Sequence, residues 1–117
     1  MALFKKRVKI APTGNAADDA LLAKIAGRSD LQKPRHWVHY FYARDEKAAR
    51  GAAKTMTQGG WEIQRVGAGA PTEPWIVVAE KHDVVLTPED VRSAREFFAT
   101  LASTTDGGEY DGWQASL

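Results

Sequence analysis

Three histidines, at positions 36, 39 and 82, are the first candidates for a functional site. Neutral imidazole binds transition metals and exchanges protons near neutral pH. His36 and His39 lie three apart in a predicted strand, where successive side chains alternate, so we expect their rings on opposite faces. His82 lies beyond a later strand, beside Asp83. Because no third ligand converges, we expect neither a metal site nor another cofactor.

A pair of carboxylates, Glu109 and Asp111, is the second candidate for chemistry. Alternate residues of a strand share a face, and paired carboxyl groups can separate their pKa values and act as acid and base. At a strand end, such a pair is more often a solvated edge or a contact for a lysine or arginine of a partner. We therefore keep both residues as candidates for partner binding.

The sequence contains no Walker motif, no serine nucleophile elbow and no Cys/His arrangement. It contains no cysteine, which excludes a thiol nucleophile, a thiolate metal site and a disulfide, and indicates a reducing compartment. The glycines of Gly67-Ala-Gly69 lie between two predicted strands, whereas a dinucleotide-binding loop must open a helix. We expect no catalytic residues and no enzyme activity.

Capping residues and hydrophobic periodicity predict the elements that position these side chains. Asn15 is predicted to cap a short helix, with an apolar stripe that contains Leu22, and Gly27 to end it. Asp45 and Thr87 are predicted to cap two further helices. Strands are predicted at residues 35–43, 61–66, 75–80 and 109–117.

The resulting order, β-α-β-β-α-β after one extra helix, predicts an α+β fold of the ferredoxin-like βαββαβ type. We expect a four-stranded antiparallel sheet in the order 4-1-3-2, with two helices on one face and Val91, Phe98 and Leu101 buried against it. The predicted organisation is a basic flexible tail, then the N-terminal helix with a linker, then the ferredoxin-like domain. Their bounds are residues 1–14, 15–33 and 34–117.

Aromatic side chains are dense in the first predicted strand, with Trp37, His39 and Phe41 on one face and Tyr40 on the other. Since helices cover only one face of the sheet, the other must carry large rings, which are costly to leave in water. The N-terminal helix, a second copy of the chain in a homodimer, a protein partner or stacked RNA bases can cover it. RNA-recognition domains stack bases on such a face, although residues 75–80 lack their Gly-aromatic-aromatic pattern.

Charge is unevenly distributed along the chain, although its formal net value is +1. Residues 1–69 hold 13 Lys/Arg and 6 Asp/Glu, whereas residues 70–117 hold 3 Lys/Arg and 9 Asp/Glu. This pattern is typical of two differently charged solvated faces of one fold. It also suits a protein of which one end meets an anion and the other a basic partner.

The segment Glu109-Tyr110-Asp111-Gly112-Trp113 resembles a motif of the ribonuclease E inhibitor family, regulator of ribonuclease E activity B (RraB). Residues 35–42, 60–62 and 86–89 are also similar to its shorter members, and the resemblance covers about residues 34–115. It implies a ferredoxin-like protein that binds ribonuclease E and reduces its activity without being an enzyme. The candidate partner-binding residues are Glu109, Tyr110, Asp111 and Trp113, with Trp37, His39 and Tyr40.

Two alternatives stay open for the aromatic residues of this motif. In a regular strand, Tyr110 and Gly112 point one way, and Asp111 and Trp113 the other, although Gly112 also allows a bulge. In the first alternative, Tyr110 or Trp113 closes the core at a sheet edge. In the second, it anchors a partner.

The location of the protein is predicted from its apolar patterning. No apolar run approaches the ~20 residues of a membrane helix. The charges at residues 5–9 have no apolar stretch behind them, so we expect no secretory signal. We therefore expect a cytoplasmic protein without membrane contact.

Overall fold

The computed structural model describes residues 10–117, so most of the predicted basic tail lies outside the described part of the chain. Three helices and four strands follow one another in this region. They are α1 (Ala16–Arg28), β1 (Arg35–Ala43), α2 (Glu46–Gln58), β2 (Glu62–Gly67), β3 (Trp75–Val84), α3 (Pro88–Thr104) and β4 (Glu109–Ala115).

The predicted caps are confirmed. The side chains of Asn15, Asp45 and Thr87 each accept a hydrogen bond from the backbone N–H three residues further on, which satisfies a donor that the helix leaves unpaired. The predicted end of α1 is wrong by one residue, because Gly27 lies inside the helix. The predicted end of β3 is also wrong, because this strand continues past Glu80 to Val84.

The four strands form one antiparallel sheet in the order β2-β3-β1-β4, which is 4-1-3-2 when it is counted from the β4 edge. The predicted α+β class and central position of the first and third strands are therefore confirmed. Both central strands are rich in apolar residues, and each pairs with a neighbour on both sides.

All three helices contribute side chains to a single core on one face of the sheet. In β1 the residues with odd numbers point into this core and those with even numbers point to the opposite face. The predicted burial of Val91, Phe98 and Leu101 is confirmed. Phe98 is fully buried and stacks on the ring of His39, with ring centroids 4.5 Å apart.

The helix α1 belongs to the same core and does not cover the opposite face of the sheet. Leu22 and Ile25 are buried in the cluster formed by α2, α3 and the sheet. The segment that follows α1 is joined to the end of β4 by Arg35, a buried side chain whose guanidinium donates to the carbonyl oxygens of Asp30 and Ser116.

None of the helices in residues 10–117 is long and apolar enough to cross a membrane.

Replacing Leu22 by alanine tests whether α1 is an integral part of the core. Since this side chain is fully buried, we expect a loss of about 2–5 kcal/mol in the free energy of unfolding, measured by urea denaturation. Lys24→Ala, at an exposed position of the same helix, should change it by less than about 0.5 kcal/mol. Equal effects of the two substitutions would show that α1 does not contribute to the core.

Candidate functional site

A β-bulge in β4 decides which side chains of the motif face the core. Tyr110 lies opposite Phe41, and Trp113 lies opposite His39, so one extra residue of β4 is accommodated between them. Gly112 has φ +89°, a backbone conformation that glycine adopts without steric cost. Both aromatic side chains therefore face the helices, and the prediction that they point to opposite faces of the sheet is wrong.

Trp113 takes part in a polar contact that joins three elements. Its indole Nε1 donates to Asp18 Oδ1 over 3.0 Å, and Arg95 of α3 donates to both oxygens of the same carboxylate at 2.5 and 2.9 Å. The side chain of Asp18 is 3% exposed and that of Arg95 is 29% exposed. The hydrogen bonds to Asp18 raise the pKa of Arg95 above its ordinary value.

Tyr110 lies between this ion pair and His39. The Arg95 guanidinium carbon is 5.0 Å from the centre of the Tyr110 ring, and the Tyr110 hydroxyl is 2.7 Å from His39 Nδ1. Burial raises the pKa of Tyr110. Burial, with the charges of Lys81 and Arg95 adding to it, lowers the pKa of His39 to about 3, so its ring is neutral at pH 7.

The opposite face of the sheet carries Tyr40 and Tyr42 of β1, both partly exposed. They flank Val38 and Val78, which are 8% and 4% exposed although neither belongs to the core cluster. Among residues 10–117, no helix contributes to this layer, which we call the open face. Its central strands are therefore covered mainly by their own neighbouring side chains.

One end of the open face is bordered by an acidic group of β4. Glu109 pairs with Tyr42, and cross-strand partners project from the same face of a sheet. Gln114, which pairs with Val38, donates its amide to the Tyr40 hydroxyl. We call Tyr40, Tyr42, Glu109 and Gln114 the tyrosine patch.

The structure separates the predicted partner-binding residues into two groups. Trp37, His39 and Trp113 are buried in the core, and Tyr110 is partly buried against it. The exposed members are Glu109 and Asp111, together with the partly exposed Tyr40. Asp111 lies at the bulge, where it lines a shallow groove along α1 with Asp18 and Arg95.

Sequence reasoning missed Asp18 and Arg95. Asp18 lies in the first turn of α1, where an acidic residue usually faces water, and Arg95 lies in the interior of α3. Neither local pattern contains a signal for the ion pair, because the partners are 77 residues apart.

Comparison with known proteins identifies the family. The family model described as "Regulator of ribonuclease activity B" matches residues 15–115. The chain belongs to the RraB family. A search of curated proteins gives no match.

RraB membership supports a role in regulating ribonuclease E and an interaction with that enzyme in general terms. The match begins at Asn15 and therefore includes α1, whereas the resemblance seen in the sequence began near residue 34. This extension agrees with the structure, in which α1 supplies Asp18 to the polar contact with α3 and β4.

Asp18→Asn tests the contribution of the buried ion pair. Removing one partner of a buried pair costs about 3–5 kcal/mol, and we expect about 2–3 kcal/mol here because Arg95 is partly exposed. Glu96→Gln, an exposed neutralisation beside Arg95, is the matched control and should cost less than about 0.5 kcal/mol. A loss below about 1 kcal/mol in urea unfolding of Asp18→Asn would contradict this assignment.

The low pKa of His39 predicts a pH dependence of stability. Between about pH 6.5 and 3 the unfolded chain binds a proton at this residue and the folded chain does not. The contribution of His39 to the free energy of unfolding therefore falls by about 1.4 kcal/mol for each pH unit of acidification within this window.

The variant His39→Asn isolates this contribution, because the other titrating groups are common to both proteins. The stability advantage of the original chain over the variant should shrink by about 2 kcal/mol between pH 7 and pH 5 in urea unfolding. An advantage of equal size at both pH values would show that folded His39 titrates normally.

Proposed function

We propose that this chain regulates ribonuclease E by direct protein contact, without catalysing a reaction, and that the tyrosine patch is the contact surface. The observation that carries this proposal is the open face, where Tyr40 and Tyr42 remain partly exposed beside the carboxylate of Glu109. By contrast, the buried aromatic side chains of the motif are engaged in the core. Tyr40 and Tyr42 are therefore more accessible to a partner than Trp113 is.

The chemistry of the tyrosine patch suits a basic segment of the nuclease. An arginine or lysine can lie over a tyrosine ring and pair with a nearby carboxylate, with each contact worth at most about 1 kcal/mol at an exposed site. Such contacts steer association and fix its register. The two tyrosine rings would supply the buried anchor that such an interface needs, since aromatic residues often carry most of the binding energy.

The acidic residues of the second half of the chain support this placement only in part. Glu73 precedes β3, whose first residue pairs with Ala43, so it lies at the same end of the sheet as Glu109. Glu80 pairs with Val38, nearer the other end.

The pair considered for acid–base chemistry, Glu109 and Asp111, is exposed, whereas catalytic acids usually depend on a buried site.

Direct RNA binding is the second candidate, because Tyr40 and Tyr42 lie on a central strand where RNA-recognition domains stack bases. Beside the two tyrosines, the other central strand presents Ile76 and Val78 to the open face, and its own ring on that face, His82, lies at the far end. Trp75 pairs with Ala43 and faces the core side. A tyrosine pair bordered by the Glu109 carboxylate favours a basic protein segment over a polyanion.

We also infer that the domain is a ferredoxin-like βαββαβ sandwich that acts in the cytoplasm, where RNA decay takes place. Three observations support this fold: the order of elements after α1, the antiparallel sheet with β1 and β3 in its centre, and the packing of α2 and α3 on one face.

A homodimer through the open face is the competing way to cover Tyr40 and Tyr42. Measuring the molecular mass of the protein in solution distinguishes this homodimer from a monomer with a free open face.

Two substitutions test the contact surface. We expect Glu109→Lys to weaken binding to purified ribonuclease E about five- to tenfold, because it replaces an attraction by a repulsion at an exposed site. Tyr42→Ala should weaken it by at least about tenfold, because it removes an aromatic anchor. Binding is measured by titration and inhibition by the rate of RNA cleavage.

The matched control for charge is Glu96→Lys, which makes the same change in net charge on the helical layer. It should bind like the original chain, and all three variants should keep their melting temperatures within a few degrees. Unchanged binding by both Glu109→Lys and Tyr42→Ala would place the contact elsewhere. Retardation of single-stranded RNA, with affinity that falls steeply as salt rises, would support the RNA-binding candidate instead.

A further inference from the structure

Three potential metal ligands converge at the end of the open face away from Glu109. They are His36 of β1 and Glu80 and His82 of β3. His36 Nε2 and His82 Nε2 are each 3.0 Å from an oxygen of the Glu80 carboxylate, and the three ligand atoms lie within 4.8 Å of one another. The expectation that no third ligand converges is therefore wrong, because β3 is longer than predicted and carries His82 onto this face.

The two imidazole rings are held parallel. Their centroids are 4.4 Å apart and their planes differ by 3°. This stacking aims both Nε2 atoms at the same carboxylate, so the histidines meet in space although they are 46 positions apart in the chain. His36 and His39 point to opposite faces of the sheet, as predicted, and His39 takes no part in the cluster.

The backbone around His82 is irregular in a way that positions its ring. Arg35 pairs with Val84 and Trp37 with Lys81, so β3 contains an extra residue opposite His36. Asp83, inside this bulge, has φ +55°, an uncommon conformation for a residue other than glycine. Bulges redirect side chains, and strained backbone is often found at functional sites.

Glu80 is fixed from a third side. The amide of Gln64 donates to the same oxygen that His36 contacts, over 2.7 Å. The Glu80 side chain is only 13% exposed, whereas those of His36 and His82 are 37% and 54% exposed. The carboxylate is thus anchored beneath two imidazoles that remain accessible from solvent.

We propose that His36, Glu80 and His82 bind one divalent transition-metal ion, with Zn²⁺ as the best fit and water in the remaining position. Two imidazole nitrogens and one carboxylate form a known ligand set for zinc with an open site. In a tetrahedral site with bonds of about 2.0–2.1 Å, the ligand atoms are roughly 3.4 Å apart, so small side-chain movements close the cluster.

Binding requires a rearrangement of protons and leaves room for a further ligand. Each histidine must present a bare Nε2 to the metal and carry its ring proton on Nδ1, which ends its hydrogen bond to Glu80. Glu62 Oε2 is 3.7 Å from His82 Nε2, so this carboxylate lies near the position proposed for water. The site is separate from the tyrosine patch, and the proposal does not depend on the proposed binding to the nuclease.

The test is a Zn²⁺ titration of the untagged chain by isothermal calorimetry, with Co²⁺ absorption as a second probe of coordination. The chain has three histidines, of which His39 is buried, and no cysteine, so a strong site has few alternative ligands. We expect one Zn²⁺ per chain, a metal-dependent rise in melting temperature that excess chelator reverses, and a Co²⁺ spectrum of low coordination number.

His82→Ala and Glu80→Gln should each weaken Zn²⁺ binding at least about tenfold and remove most of the melting-temperature rise. Glu96→Gln, on the helical layer, is the control for loss of a carboxylate and should bind Zn²⁺ like the original chain. Because the His82 side chain is half exposed, His82→Ala should retain the metal-free melting temperature within a few degrees. The absence of saturable binding up to millimolar Zn²⁺, or equal binding by the original chain and both ligand variants, would overturn the proposal.

Discussion

The arrangement of α1, α3 and β4 depends on the hydrogen bonds that the buried carboxylate of Asp18 accepts. Burying a charge is costly unless it is paired and hydrogen-bonded, and this carboxylate accepts from both Arg95 and Trp113. Each donor comes from a different element, so the carboxylate is satisfied only when the helix and the edge strand are both in place. The N-terminal helix is thereby joined to the rest of the domain, in agreement with a family match that begins at residue 15.

The second requirement of this contact is the bulge at Gly112. A regular strand would place Tyr110 and Trp113 on opposite faces, and only one of them would reach the core. With the extra residue accommodated by a left-handed glycine, Trp113 reaches Asp18 while Tyr110 packs beneath Arg95 and contacts His39. Tyr110 and Trp113 therefore pack within the fold, and Glu109 and Asp111 remain exposed.

The three helices of residues 10–117 all pack on one face of the sheet, and none of them covers the other face. Along β1, the residues that alternate with the core side chains form two chemically different regions. Tyr40 and Tyr42 lie near the carboxylate of Glu109, whereas His36 lies against Glu80 and His82 of the neighbouring strand. A single central strand thus contributes to the core, to the proposed protein contact and to the proposed metal site.

The helix starts, the α+β class and the central position of β1 and β3 could all be predicted from the sequence. The helix starts depend on local hydrogen bonds at Asn15, Asp45 and Thr87, and the strand order follows from the handedness of the connections between predicted elements. The burial of Asp18 and the meeting of His36 with His82 become visible only in the folded chain. Their contacts join residues from 44 to 95 positions apart, and they depend on a bulge in β4 and an extra residue in β3 that no local pattern specifies.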